Sequence, residues 1–192
     1  MPPSTRTYVA KVGTILLVLG CLSLTSCAPD EPLSRARPTP SSTPLFASEE
    51  EALDAARETY EGFLRTAEII MDEGGLHPER IDEFATPNVA DPEKEGFLNI
   101  ATAHERVTGS MVLETVVLQA YRPQIAEGEG IVSIYACVNV ADTDVVDENG
   151  NSVVSAERSD ENVFEVGFDS DINSSTQLRV SSKLLWEAGG VC

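Results

Sequence analysis

Positive charge is scarce in this chain: 13 lysines and arginines stand against 32 aspartates and glutamates over 192 residues, a formal charge of −19. A surface of that sign repels phosphate backbones and anionic headgroups, which argues against nucleic-acid binding and against anchoring by a basic patch. Histidine is rarer still, with only His77 and His104, so little imidazole is at hand for acid–base chemistry. No phosphate loop, nucleophile elbow or paired metal-ligand motif occurs, and neither a cofactor nor a metal site is expected. Long apolar runs are also missing. Val12–Leu24 spans 13 residues, short of the ~20 that a membrane helix needs.

What is present begins at that run. Residues 1–26 read as a signal peptide, with Arg6 and Lys11 as its positive start and Thr25-Ser26 as the small residues before a cut. Cys27 follows in Leu24-Thr25-Ser26-Cys27, the lipobox pattern whose cysteine takes a diacylglyceryl group through a thioether and becomes the first mature residue. Cys21, behind Leu19-Gly20, offers a second cut, but the chain turns polar and proline-rich directly after Cys27. Anchored there by two acyl chains, the protein is expected at the extracytoplasmic face of the cell membrane. Removing Arg6 and Lys11, with no acid lost, takes the charge from −19 to −21.

Cysteine is otherwise sparse. With Cys21 discarded and Cys27 lipidated, Cys137 and Cys192 remain, and an oxidising compartment makes a disulfide the expected state. Its sequence separation of 55 corresponds to roughly 4 kcal/mol in the chain-entropy model. A metal site is the alternative, without a ligand cluster to support it.

Residues 27–47 form the lipid anchor and a Pro/Ser/Thr-rich tether with almost nothing to bury, so a disordered segment is expected. At about 3 Å per residue a proline-rich stretch of this length reaches roughly 60 Å. Residues 48–192 are expected to fold as one α+β domain. Ser48 and Glu51 make a capping box for a first helix with Leu53, Ala56, Tyr60, Phe63, Leu64, Ala67, Ile70 and Met71 on one stripe, stopped by Gly74-Gly75. His77-Pro78 opens a short second helix with Ile81 and Phe84 inward. Asp91-Pro92 opens a third, with Phe97, Ile100, Ala101, His104 and Val107 inward and Thr108-Gly109 at its end.

From Ser110 the period is two. Strands are predicted over 111–122, 131–140, 163–168 and 177–186, with an Asn149-Gly150 turn between them. Val132, Ile134, Ala136, Val138 and Val140 share one face of the second strand. Phe164, Val166, Phe168, then Leu178, Val180, Leu184 and Trp186, are expected inward, with Arg179 and Lys183 outward beside Glu165. Three helices packed on one face of a curved antiparallel sheet is the architecture this order implies.

The lipobox, the Thr/Pro/Ser tether, the long first helix, the strand ending in Cys137, the Asp147-Glu148-Asn149-Gly150 turn and Cys192 together resemble actinobacterial lipoproteins. Their domains are similar to the nuclear-transport-factor-two-like cone, shared with ketosteroid isomerases and polyketide cyclases. The resemblance implies a pocket between the helices and the concave sheet face. It assigns no chemistry, since fold and activity are separate and many members are non-catalytic.

That pocket is expected to be one apolar space lined by Tyr60, Phe97, His104, Tyr135 and Trp186. His104 reads in two ways, as a pocket acid/base and as a hydrogen-bonded histidine at a helix end, and no acid is expected beside it. Tyr60, Tyr135 and Trp186 equally fit ordinary core packing. Asp169-Ser170-Asp171 matches the first ligand positions of a calcium loop but lacks its glycine and final glutamate, and Asp142–Asp147 has the wrong spacing, so both read as acidic turns. The reading favoured is a non-catalytic lipoprotein domain that binds a small apolar ligand or an envelope protein. The alternatives are an isomerase- or cyclase-type enzyme using His104, and a structural component of the cell envelope.

Overall fold

Ser48 starts the first helix by its side chain: its Oγ accepts from the Glu51 N–H at 3.2 Å, and the Glu51 carboxylate accepts from the Ala47 N–H at 2.7 Å. The computed structural model describes residues 44–123, 130–171 and 178–192. The expected signal peptide, Cys27 and the tether up to residue 43 lie outside the described residues, as does most of the Ser170–Ser175 connection. Among the described residues no helix is long and apolar enough to cross a membrane.

Helix α1, Glu49–Asp72, buries Ala56, Tyr60, Phe63, Leu64, Ala67 and Ile70 of the stripe read from sequence, with Ala52 buried in place of the half-buried Leu53. It ends in a Schellman motif, in which Gly74 N–H donates to Met71 O at 3.1 Å and Gly75 N–H to Ile70 O at 2.8 Å. Both glycines have positive φ, and a Cβ on Gly75 would lie 2.1 Å from the Phe97 carbonyl oxygen. The first helix therefore stops where the second passes close to it. Folding begins before Ser48: Phe46 is buried, its N–H donates to the Tyr121 hydroxyl, and that hydroxyl donates to Phe46 O at 2.7 Å. Phe46 thus belongs to the domain and not to the tether.

Among the described residues two α-helices form instead of three. Pro78–Glu83 is a 3-10 turn that buries Ile81. Helix α2 runs Pro87–Ala103, so Thr86-Pro87 supply the entry expected of Asp91-Pro92. Thr86 is extended, its carbonyl accepts from Val89 and Ala90, and Pro87 takes the first helical position, where no N–H is needed. Pro92 then lies within the helix at the cost of one bond, and Asp91 pairs with Lys94 at 3.1 Å. The helix ends at Ala103. Val107 belongs to strand β1, Arg106–Thr108, which pairs antiparallel with β4, Asp144–Val146.

The main sheet is antiparallel in the order β2-β3-β5-β6, with β2 Val112–Tyr121, β3 Val132–Asn139, β5 Glu161–Ser170 and β6 Leu178–Leu185. Val132, Ile134, Ala136 and Val138 of β3, with Val166, Phe168 and Val180, meet the helices in one buried cluster. An α+β chain of helices followed by an antiparallel sheet is the observed architecture.

One irregularity in β6 decides what faces the helices. Phe168 pairs with Val180, but Gly167 pairs with Ser182, so Ser181 is an extra residue in the ladder. The bulge reverses the expected alternation beyond it. Lys183, opposite buried Val166, turns to the helix side, while Leu184, opposite Glu165, turns away and is 64% exposed. Arg179 does not pair with Glu165 either. Its guanidinium donates to the Asp82 and Ala85 carbonyls and meets Asp171 at 3.3 Å, tying β6 to the chain ahead of α2.

Candidate functional site

Between α1, α2 and the sheet lies an apolar space of about 190 Å³. Helix α1 supplies Tyr60, Phe63, Leu64, Ala67 and Met71 to its lining, and α2 supplies Glu93 and Phe97. Met111, Val138, Val140, Asn162, Phe164 and Lys183 complete it from the sheet side. A helical stripe about three turns long, Tyr60 to Met71, meeting strands that alternate against it accounts for most of these residues. Tyr60 and Phe63 stack with ring centroids 5.8 Å apart.

Two polar features lie beside the apolar wall. The first is the Tyr60 hydroxyl, which is shut off from solvent and from the space and has no hydrogen-bond partner. Burial, and secondarily the charge of Glu93, push its pKa well above the ordinary tyrosine value, so it stays an O–H donor. The second is an ion pair between Lys183 Nζ and Glu93 Oε1, each side chain 22% exposed. The same ammonium lies 5.2 Å from the Phe63 ring centroid and 5.4 Å from that of Phe164. Glu93 and Lys183 also line a surface groove with Pro92, Ser181 and Ser182, so the pair forms a wall common to groove and inner space.

The residues expected to share a pocket divide into three places. Tyr60 and Phe97 line the apolar space. Tyr135 and Trp186 lie on the other face of the sheet, with centroids 4.8 Å apart and the Tyr135 hydroxyl accepting from Gln119 at 2.8 Å. Tyr135 occupies the alternate position of β3, and Trp186 is put there by the Ser181 bulge. His104 is exposed at the C-terminal cap of α2, in the left-handed region at φ 56°. The helix ends one residue too early to carry it inward. It borders a surface hollow with Asp72, Glu73, Glu105, Arg106, Asp147 and Glu148, away from the apolar space. His104 therefore does not belong to the apolar space in which it was expected. One acid, Glu93, does reach the space from α2, away from His104.

Cys137 and Cys192 are bridged, with an S–S length of 2.02 Å and α-carbons 5.5 Å apart. Glu161 approaches these sulfurs in the single grouping of metal-ligand atoms found among the described residues, but both sulfurs are consumed by the disulfide. The acidic turns have structural duties. Asp169 accepts from the Gly130 N–H at 2.7 Å, and Asp147 accepts from the backbone N–H groups of Asn149 and Asn151 at 2.9 and 2.8 Å.

No family model matches the chain, and no curated protein matches it. Among solved structures, the intermembrane space region of the chloroplast protein ARC6 is similar at 8% identity and a TM-score of 0.47, covering 69% of this chain and 95% of that one.

Lys183 and Glu93 were beyond sequence reasoning for one reason each. An extra residue in β6 leaves no mark in a period-two pattern. Glu93 shares a helical face with Phe97, but placing α2 from Asp91 set it in the first turn, where acids are ordinary.

Proposed function

We propose that this chain is a membrane-anchored extracytoplasmic lipoprotein whose domain, of the nuclear-transport-factor-two-like cone type, binds a small apolar molecule without transforming it. The lipobox at Cys27 supports the anchoring, and the helix-then-sheet order supports the cone. The observation that carries the binding role is the apolar space itself, about 190 Å³ between the helices and the sheet, with the Glu93–Lys183 pair in its wall. Burial of the ligand's apolar surface, at about 25 cal/mol per Å², supplies the affinity, and the polar groups set orientation.

Native mass spectrometry of the full chain extracted from its own membrane tests this. A retained small molecule that disappears in Ala67→Phe, which fills the space, is the expected result. If nothing is retained and no cyclohexane-sized compound perturbs the Met71 or Met111 methyl resonances, the binding role is overturned.

A further inference from the structure

Strand β6 is the last of its sheet, so β5 pairs with it on one side only. The chain ahead of α2 covers the start of its other edge. Val180 N–H donates to Phe84 O at 2.8 Å, and Thr86 N–H donates to Val180 O at 2.9 Å. Pro87 then turns the chain into α2, and this cover stops. Trp186 N–H points the opposite way, to Val163 O of β5 at 2.8 Å. Backbone groups alternate sides along a strand, so the N–H and C=O of Lys183 and Leu185 face the open edge. Among the described residues no backbone group pairs with them there.

Such an edge is commonly guarded by a charge or a covering element. Here the charge is diverted. Lys183 is the one cation in 182–187, and the Ser181 bulge turns it to Glu93. What remains on the edge is exposed: Ser182, then Leu184 at 64% and Leu185 at 58%. A groove of about 360 Å³ runs beside it, with Val89 and Pro92 of α2 as its apolar wall. Open main-chain groups next to a side-chain groove are what an added strand uses.

Area and charge choose the occupant. A second copy joined along four residues falls short of the ~1,200 Å² that a stable interface buries. It would also set a formal charge of −19 against another −19. An extended peptide needs only the backbone bonds and a seat for one side chain. Glu165 stands opposite Leu184, Glu187 follows the strand, and the one cation of the stretch is already paired. The side chains that match this edge are basic.

We propose that Ser182–Leu185 takes an extended, lysine- or arginine-bearing segment of a partner protein as an added strand. Its backbone pairs with Lys183 and Leu185, and one apolar side chain enters the groove beside Val89 and Pro92.

The full chain, isotope-labelled and in detergent, is titrated with a capped peptide of alternating lysine and valine. Amide shifts should concentrate at 182–186 and 88–93, and binding should weaken as salt is added. The same peptide with glutamate for lysine should bind about tenfold more weakly. N-methylation of every second residue should cost about tenfold in one phase, where it removes bonds to the edge, and less in the other. Leu185→Pro deletes an N–H that the sheet does not use, so the fold is kept and peptide binding falls by a similar factor.

Equal binding of the lysine and glutamate peptides would overturn the basic partner. Equal binding of the parent and both N-methylated forms would overturn strand addition. Shifts at 182–186 that grow with protein concentration alone would put a second copy on the edge instead. Silence of these amides toward every peptide overturns the docking surface itself. Circular dichroism reports whether Leu185→Pro folds; if it does not, the N-methylated peptides decide.

Discussion

Lys183 reaches Glu93 across the gap between sheet and helix because β6 carries one residue too many at Ser181. Without that bulge Lys183 would face solvent and Leu184 would enter the core, which is the pattern simple alternation gives. A bulge thus converts what reads as a solvated lysine into a wall of the pocket. The first expectation tests the pair. Glu93→Gln and Lys183→Met each leave a partner only 22% exposed without its counter-charge. Each should lose about 1–3 kcal/mol in urea unfolding, and the double variant should lose less than the sum. Strict additivity in this cycle would show that the two charges do not interact.

The disulfide should be a major stabiliser. Cys192→Ser is expected to lower stability by about 2–5 kcal/mol, because residues 137 and 192 then open a long loop in the unfolded chain. Equilibrium unfolding measures this, and intact mass before and after reduction and alkylation checks the starting state. Two free thiols in the protein isolated without reductant would contradict the bridge.

His104 holds a left-handed cap position at φ 56°, which favours glycine. His104→Gly should raise stability by about 0.5–1 kcal/mol and leave ligand binding unchanged. A loss of binding on this substitution would restore the histidine to the site.

Acid should weaken the turn at Asp147. The Asn151 side chain foremost, then the backbone N–H groups of Asn151 and Asn149, hold the Asp147 carboxyl below its usual value of 3.8. A depressed folded pKa means that the stabilising contribution is fully present above the unfolded value and fades as pH falls through the folded one. Asp147→Ala should therefore differ most from wild type at neutral pH and begin to converge with it only as the pH falls below 3.8. A difference that does not change with pH would assign the effect to packing.

Cys27→Ala should release the protein from the membrane fraction or leave it unprocessed, since the two acyl chains are its proposed anchor. Fractionation with Cys21 intact checks the position. Membrane retention equal to wild type would move the lipid elsewhere.

The elements that could be read from the chain were those with a dense local signal. Ser48 with Glu51, the α1 stripe and the double glycine stop are each written in consecutive residues, and β3 alternates without fault from Val132 to Val138. The Cys137–Cys192 bridge follows from counting. What escaped depends on single offsets. Thr86-Pro87 and Asp91-Pro92 carry the same entry signal a few residues apart, and the tertiary tie of Thr86 N–H to Val180 O, at 2.9 Å, accompanies the earlier one. The three-residue strands β1 and β4 are too short for any period. Trp186 was placed wrongly because the face of a strand is lost as soon as one residue is inserted. Tyr135 simply alternates with Ile134 and Ala136 and so stands on the opposite face of an unbroken β3.

The covalent link from Cys137 to Cys192 also fixes how the molecule bears mechanical load. Tension applied between residue 44 and residue 192 passes through the sulfur bridge and never along 138–191, so β4, β5 and β6 cannot be drawn out in series. Only the segment from 44 to 137 can lengthen, by at most roughly 330 Å at about 3.5 Å per residue. Stretched from residue 44, the domain would peel away α1, α2 and β2 while its last strands stayed a closed ring. Reduction would add some 190 Å more to the extended length on the same scale, a step visible in a single-molecule force trace.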